Sequence, residues 1–209
     1  MIGVEQMRIV PALLAWLDLA GIAMFAASGA LAAARARQTI VTFLFFAVVT
    51  ATGGGTVRDL LIGAPVFWMQ DSRALAACLI AGLAVWMTPR RWWRPKALDW
   101  FDAVGLAVYA VYGAAKALAF GISPLPAAGM GVVTACMGGI IRDVLAGEPS
   151  ILLRPEIYVT AAALAAVAYV GLGELGVAPQ IAAAVGALAG FGLRALAIGR
   201  GLALPAYRG

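Results

Sequence analysis

The sequence predicts an all-α membrane protein: seven transmembrane helices, arranged as two inverted three-helix repeats plus a seventh helix. Three observations carry this expectation. The 209 residues are 64% hydrophobic and only 12% charged, with no histidine, where a soluble domain is about 45–50% apolar and about 25% charged. Apolar runs of about 20 residues, the length that crosses a bilayer core, recur along the whole chain. One unusual stretch is written twice, at a constant offset of 84 residues.

The first copy, Val48 to Pro65, holds Gly53-Gly54-Gly55, then Arg58-Asp59, then Gly63-Ala64-Pro65. The second, Val132 to Pro149, holds Gly138-Gly139, Arg142-Asp143 and Gly147-Glu148-Pro149. The register extends backwards without a gap: Trp16 falls on Trp100, Asp18 on Asp102, Gly21 on Gly105, Phe25 on Tyr109 and Gly29 on Gly113. From Trp16 to Pro65, 19 of 50 positions match their counterparts. Alanine matches mean little in this composition, but the Trp, Asp, Gly, Arg and Pro matches establish an internal repeat.

Taken in order, the spans run roughly Ala12–Ala34, Ile40–Gly63, Arg73–Thr88, Trp100–Phe120, Leu125–Gly147, Ile157–Leu172 and Ala178–Ile198. The first enters directly from Met1–Pro11, which carries Glu5 and Arg8 and shows no short apolar region with a cleavage site, so no cleaved leader is expected. The second and fifth contain the glycine clusters. The third is short and would thin the bilayer around it. Residues 1–209 thus form a single membrane domain, with repeat one at about 12–88, repeat two at about 96–172 and the seventh helix at about 178–198. Three spans per repeat is odd, so the second copy enters the membrane from the opposite side, and a pseudo-two-fold axis in the membrane plane relates the halves.

Orientation follows from basic loop residues. Arg35 and Arg37, then Arg90, Arg91, Arg94 and Lys96, then Arg154, Arg200 and Arg208 all fall on one side. The other side carries Glu5 with Arg8, Asp71 with Arg73, and Glu174. The amino terminus is expected outside and the carboxyl terminus in the cytoplasm of a bacterial or archaeal inner membrane.

Several function classes fall away. The net charge of +5 is not gathered into a basic face, so nucleic-acid binding is not expected. Cys78 and Cys136 sit in apolar runs and read as small core residues. Without histidine, the usual metal and nucleophile sets are missing. Gly53-Gly54-Gly55 lacks the Lys-Ser/Thr ending of a nucleotide loop. No enzyme, metal or resident cofactor is expected.

Five polar sites fall within spans: Asp18, Asp102, Lys116, Arg58-Asp59 and Arg142-Asp143. Each such charge costs about 2.5–3.5 kcal/mol on insertion scales, so it should face protein or water. Lys116 is asymmetric, because its repeat partner is Ala32. On the fourth span Asp102, Gly105, Tyr109, Tyr112 and Lys116 share one helix face. That stripe reads as a water-lined pore wall; the alternative is two charges snorkelling to opposite interfaces. The glycines at 53, 54, 55, 138 and 139 read as places where the second and fifth helices kink or unwind. A second half-helix would then start there and point its amides at an anion, with Arg58 or Arg142 adding positive charge. The alternative is close helix packing, which also explains Gly186 and Gly190 in the last span.

Gly-Gly-Gly-x-x-Arg-Asp at 53–59 and Gly-Gly-x-x-Arg-Asp at 138–143, in a seven-span inverted repeat, resemble the prokaryotic branch of the trimeric intracellular cation channel family. The resemblance covers about Ala12 to Ile198. It implies a homotrimer with one pore per subunit, lined chiefly by the first, second, fourth and fifth helices, the second and fifth kinked at their glycines. It implies conduction of K⁺ and Na⁺, a gating role for Lys116 as the lysine of the fourth helix, and membrane lipid as partner. Asp18, Asp102, Tyr109, Tyr112, Arg58, Asp59, Arg142 and Asp143 are then the candidate pore residues. The longer basic tail that accompanies phosphoinositide binding in animal members is missing. The pattern is also similar to small bacterial amino-acid (glycine) transporters, with an arginine holding the substrate carboxylate, and residue chemistry alone leaves channel and transporter both open.

Overall fold

Repeated end signals shape the helices. Thr39 caps the helix that follows it, its side chain accepting from the Thr42 amide, and Asp71 does the same through the Arg73 amide. The Arg73 side chain, hydrogen-bonded to the same carboxylate, holds the Asp71 carboxyl below its usual range. At the other end, Gly63 and Gly147 take φ values of +67° and +69°, a left-handed turn that a side chain resists. Pro65 and Pro149 follow within two residues, so the helix cannot resume.

The computed structural model describes residues 6–205, with side chains from Asp18 onward apart from Arg90. Glu5, the side chain of Arg8 and Arg208, which carry part of the expected loop charge, lie outside that description, as do residues 1–5 and the side chains of the rest of the Met1–Pro11 stretch. The helices are α1 (Gln6–Arg35), α2 (Ile40–Leu61), α3 (Phe67–Gln70), α4 (Ser72–Met87), α5 (Ala97–Ala119), α6 (Pro124–Ala146), α7 (Val159–Glu174) and α8 (Pro179–Arg200). All but the one-turn α3 coincide with the seven expected apolar runs. Five helices are long and apolar enough to cross a membrane, while α4 and α7 are shorter, at 16 residues each.

The bundle is built around α5, which packs on α1, α6, α7 and α8, while α2 crosses α6. Cys78 and Cys136 are free and buried. α8 lies on α7, where Gly186 and Gly190 approach the carbonyls of Ala165 and Ala161. That is the small-residue packing expected of this helix. After α8 the chain turns back: Ala203 forms an antiparallel bridge with Glu156, and the Leu204 amide donates to Pro155 at 2.7 Å.

The expected unwinding of the second and fifth helices is not there. α2 and α6 run unbroken through their glycine clusters, so no half-helix start exists to receive an anion. Close approach is what the glycines provide. A Cβ on Gly54 would strike the Thr134 carbonyl, and one on Gly138 would strike the Thr50 carbonyl. Thr50 and Gly54 are the repeat partners of Thr134 and Gly138, so the contact is reciprocal: backbone meets backbone with no side chain between.

Candidate functional site

The repeated Arg-Asp pairs sit one turn before their left-handed glycines, where the chain doubles back. Asp59 Oδ2 accepts from the Phe67 amide at 3.0 Å, and Asp143 Oδ2 accepts from the Ile151 amide at 2.8 Å. Residues 67 and 151 are themselves repeat partners. Each carboxylate therefore ties down the segment eight residues later. Its second oxygen is held by the preceding arginine: Arg58 Nε and Nη2 donate to Asp59 Oδ1 at 2.9 and 2.7 Å, and Arg142 Nε donates to Asp143 Oδ1 at 2.9 Å. Neighbouring helical residues do not ordinarily face each other. Here the long guanidinium stem folds back because its head has no water to reach.

Beyond that common core the two clusters differ. In the first, Lys116 Nζ reaches from α5 to Asp59 Oδ1 at 2.8 Å. The Arg58 guanidinium lies 4.9 Å from the Tyr112 ring centroid, a cation–π arrangement, and its Nη1 is buried without a hydrogen-bond partner. Asp18 makes no ion pair with Arg58 and instead accepts from the Tyr109 hydroxyl at 3.2 Å. In the second cluster, Arg142 Nη1 spans to Asp102 Oδ1 at 2.5 Å and to Ser28 Oγ at 3.1 Å. Ser28 is the repeat partner of Tyr112, and its small hydroxyl leaves the arginine room to reach Asp102.

The structure thus gathers the candidate residues into two groups, with Asp18 and its Tyr109 partner beside the first. Asp102 and Lys116 stand at opposite ends of α5, about 21 Å apart at 1.5 Å per residue. The stripe on α5 is not the expected water-lined wall. Asp102 and Tyr109 are 1% exposed and Tyr112 7%; Asp102 Oδ1 is held by Arg142 and the Tyr109 hydroxyl by Asp18. Nor do the two charges snorkel outwards, because both are ion-paired inside the bundle.

A cavity of about 280 Å³ opens at the end of the second cluster, lined by Ala32, Arg35, Asp99, Arg142, Asp143, Glu148 and Arg154 among others. Among the described residues no group of three or more acidic or sulfur ligands is placed to hold a metal ion.

Sequence reasoning missed three members of this interior. Arg194, in α8, is 1% exposed; it donates to Glu156 Oε2 at 2.7 Å and lies 5.2 Å from the Tyr158 ring centroid. Its signal was plain, an arginine within an apolar span. Ser28 and Tyr158 carried no signal of their own, although the offset of 84 that pairs Ser28 with Tyr112 marks it in retrospect.

Comparison with known proteins gives a consistent picture. The family model described as glycine transporter matches twice, over residues 15–90 and 99–174, which are the two repeats at the offset of 84. The chain is 40% identical to a UPF0126 membrane protein of Vibrio cholerae, over 93% of this chain and 83% of that one. It is 46% identical to the UPF0126 inner membrane protein YadS of Escherichia coli K12, over 70% and 72%. Among solved structures it is similar to the trimeric intracellular cation channel orthologue from Rhodobacter sphaeroides, with 41% identity, a TM-score of 0.84 and coverage of 91% and 99%. A prokaryotic channel of the same kind, solved in 0.5 M KCl, has 28% identity and a TM-score of 0.84, with coverage of 91% and 98%.

Proposed function

This chain belongs to the prokaryotic trimeric intracellular cation (TRIC) channel family, and from that premise we propose that it is a monovalent-cation channel. It conducts K⁺ and Na⁺ as a homotrimer with one pore in each subunit. The observation that carries the reading is the interior file of charges. In a largely apolar bundle, Asp18, Arg58, Asp59, Asp102, Lys116, Arg142 and Asp143 lie between α1, α2, α5 and α6. Buried charges at these costs are kept where an ion must pass. In the described conformation the file is cross-linked, so conduction requires the Lys116–Asp59 and Tyr109–Asp18 contacts to part.

The finer features of the proposal have their own support. The reciprocal contact of Gly54 and Gly138 is what a pseudo-two-fold axis between inverted repeats would produce. α4 and α7, about 24 Å long at 1.5 Å per residue, cross as well, with local thinning of the bilayer. The glycines at 53, 55 and 139 leave α2 and α6 able to bend as the pore opens. The arginine-rich loops face the cytoplasm, with the amino terminus outside. Lipid and the other two subunits cover the exposed apolar residues.

A glycine transporter would need a free cation to hold the carboxylate. Arg142 is engaged by two aspartates, and Arg58 is neutralised by Asp59 with one buried nitrogen left over, which speaks for the channel. The test is recording from purified protein in planar bilayers with KCl on both sides. Discrete cation-selective steps support the proposal. Silence in the bilayer, with glycine accumulating in liposomes of the same preparation, overturns it.

A further inference from the structure

We propose that the cavity beside Asp143 is a binding site for a hydrated monovalent cation, the mobile counterpart of the Lys116 ammonium. The inference rests on the channel reading above and assigns a specific ion site within it. In the first cluster the protein supplies its own cation, with Lys116 Nζ 2.8 Å from Asp59 Oδ1. The repeat partner of Asp59 is Asp143 and that of Lys116 is Ala32. Ala32 ends at its Cβ, and where a lysine would extend there is instead the cavity of about 280 Å³, lined by both Ala32 and Asp143. That volume admits an alkali ion together with several waters, since one water needs only about 10–15 Å³ by the same kind of measure.

The charges favour a cation over an anion. Three arginines line the cavity, their charge offset by Asp99, Asp143 and Glu148 on the same wall, and each already serves a protein acceptor. Arg142 is bound to Asp102 and Asp143, Arg35 Nη2 donates to the Pro95 carbonyl at 2.6 Å, and Arg154 donates to the Pro149 carbonyl at 3.0 Å. The carboxylates of Asp99 and Glu148, by contrast, make no hydrogen bond or ion pair among the described residues. Behind Arg142, the buried Asp102 Oδ2 and Tyr158 Oη also lack partners. One buried arginine there answers two buried carboxylates, Asp102 and Asp143, so the cluster carries a formal deficit of one positive charge. With no cluster of three carboxylates among the described residues to strip an ion of its water, the cavity offers room and net negative charge, which suits an ion that keeps its hydration shell.

The experiment grafts the first half's solution onto the second. Crystals of the full-length chain are soaked in thallium(I), a potassium analogue with strong anomalous scattering, and binding of radiolabelled rubidium to the detergent-solubilised chain is measured in parallel. The wild type should show a thallium peak in this cavity, and Ala32→Lys should remove it and weaken rubidium binding more than about tenfold. Should Ala32→Lys fail to fold, the surface variant Asp99→Asn/Glu148→Gln serves instead, with rubidium binding about tenfold weaker, the loss expected for two nearby charges. No peak in the cavity, or rubidium binding unchanged in the variants, overturns the proposal. Thallium bound here in a protein that is silent in bilayers would uphold the site and sink the channel reading. Conduction without a cavity peak would do the reverse.

Discussion

Removing the Lys116 side chain tests gating most directly, and its size can be worked from the geometry. The Lys116–Asp59 contact at 2.8 Å joins a half-buried ammonium to a fully buried carboxylate. Charges about 4 Å apart at an effective dielectric of about 20 attract by about 4 kcal/mol. A membrane potential of 100 mV acting on one elementary charge supplies at most about 2.3 kcal/mol. Lys116 lies in the last turn of α5, near one membrane face, so it crosses only part of the field. A third of the field gives about 0.8 kcal/mol, or roughly a fourfold change in open probability per 100 mV. Voltage therefore biases the contact without breaking it, and dependence on voltage should be shallow. In Lys116→Ala the contact is gone while Arg58 still neutralises Asp59, so the fold should survive. Single-channel recording should show open probability at zero voltage raised about tenfold or more, voltage dependence flattened, and unitary conductance within about a factor of two of wild type. Unaltered gating in this variant would refute the reasoning, and a fall in conductance alone would place the ammonium in the ion path instead.

Four further outcomes follow from packing and charge. Gly54→Ala or Gly138→Ala forces a methyl into a carbonyl across the α2–α6 contact and should cost about 1–3 kcal/mol or more, seen as a lower melting temperature. Gly171→Ala, at a position with open space around it, should be neutral or slightly stabilising. Arg142→Ala strands Asp102 and Asp143 in the interior and should destabilise by about 3–5 kcal/mol; pairing it with Asp102→Asn should recover a measurable part, by thermal denaturation monitored on size-exclusion chromatography. Arg194→Leu leaves the half-exposed Glu156 free to rehydrate and should cost less than Arg142→Ala in the same assay.

The residue pattern made the helices legible because lipid-facing length and hydropathy are local properties, and every helix but the one-turn α3 follows an apolar run closely. The duplicated Arg-Asp pairs and the odd lysine were legible too, since charge in an apolar span is conspicuous. Partner choice was not. Whether Arg142 meets Asp102 while Arg58 leaves Asp18 to Tyr109 depends on the sizes of Ser28 and Tyr112, two residues distant in sequence from either arginine. The expected unwinding at the glycine clusters failed for a related reason. Glycine lowers the cost of bending and of close approach alike, and only the position of the neighbouring helix decides between them. With the carbonyls of Thr50 and Thr134 on the far side, approach prevails and both helices stay whole.

That crossing has a mechanical consequence. Where Gly54 and Gly138 bring main chain against main chain there is no side chain to flex, rotate or compress, so the joint behaves as a fulcrum. α2 and α6 are levers resting on it. Any movement that keeps the joint closed is a rotation about this point, and a swing of the Arg58 arm on one side of it is matched on the other by an opposite swing of the same helix.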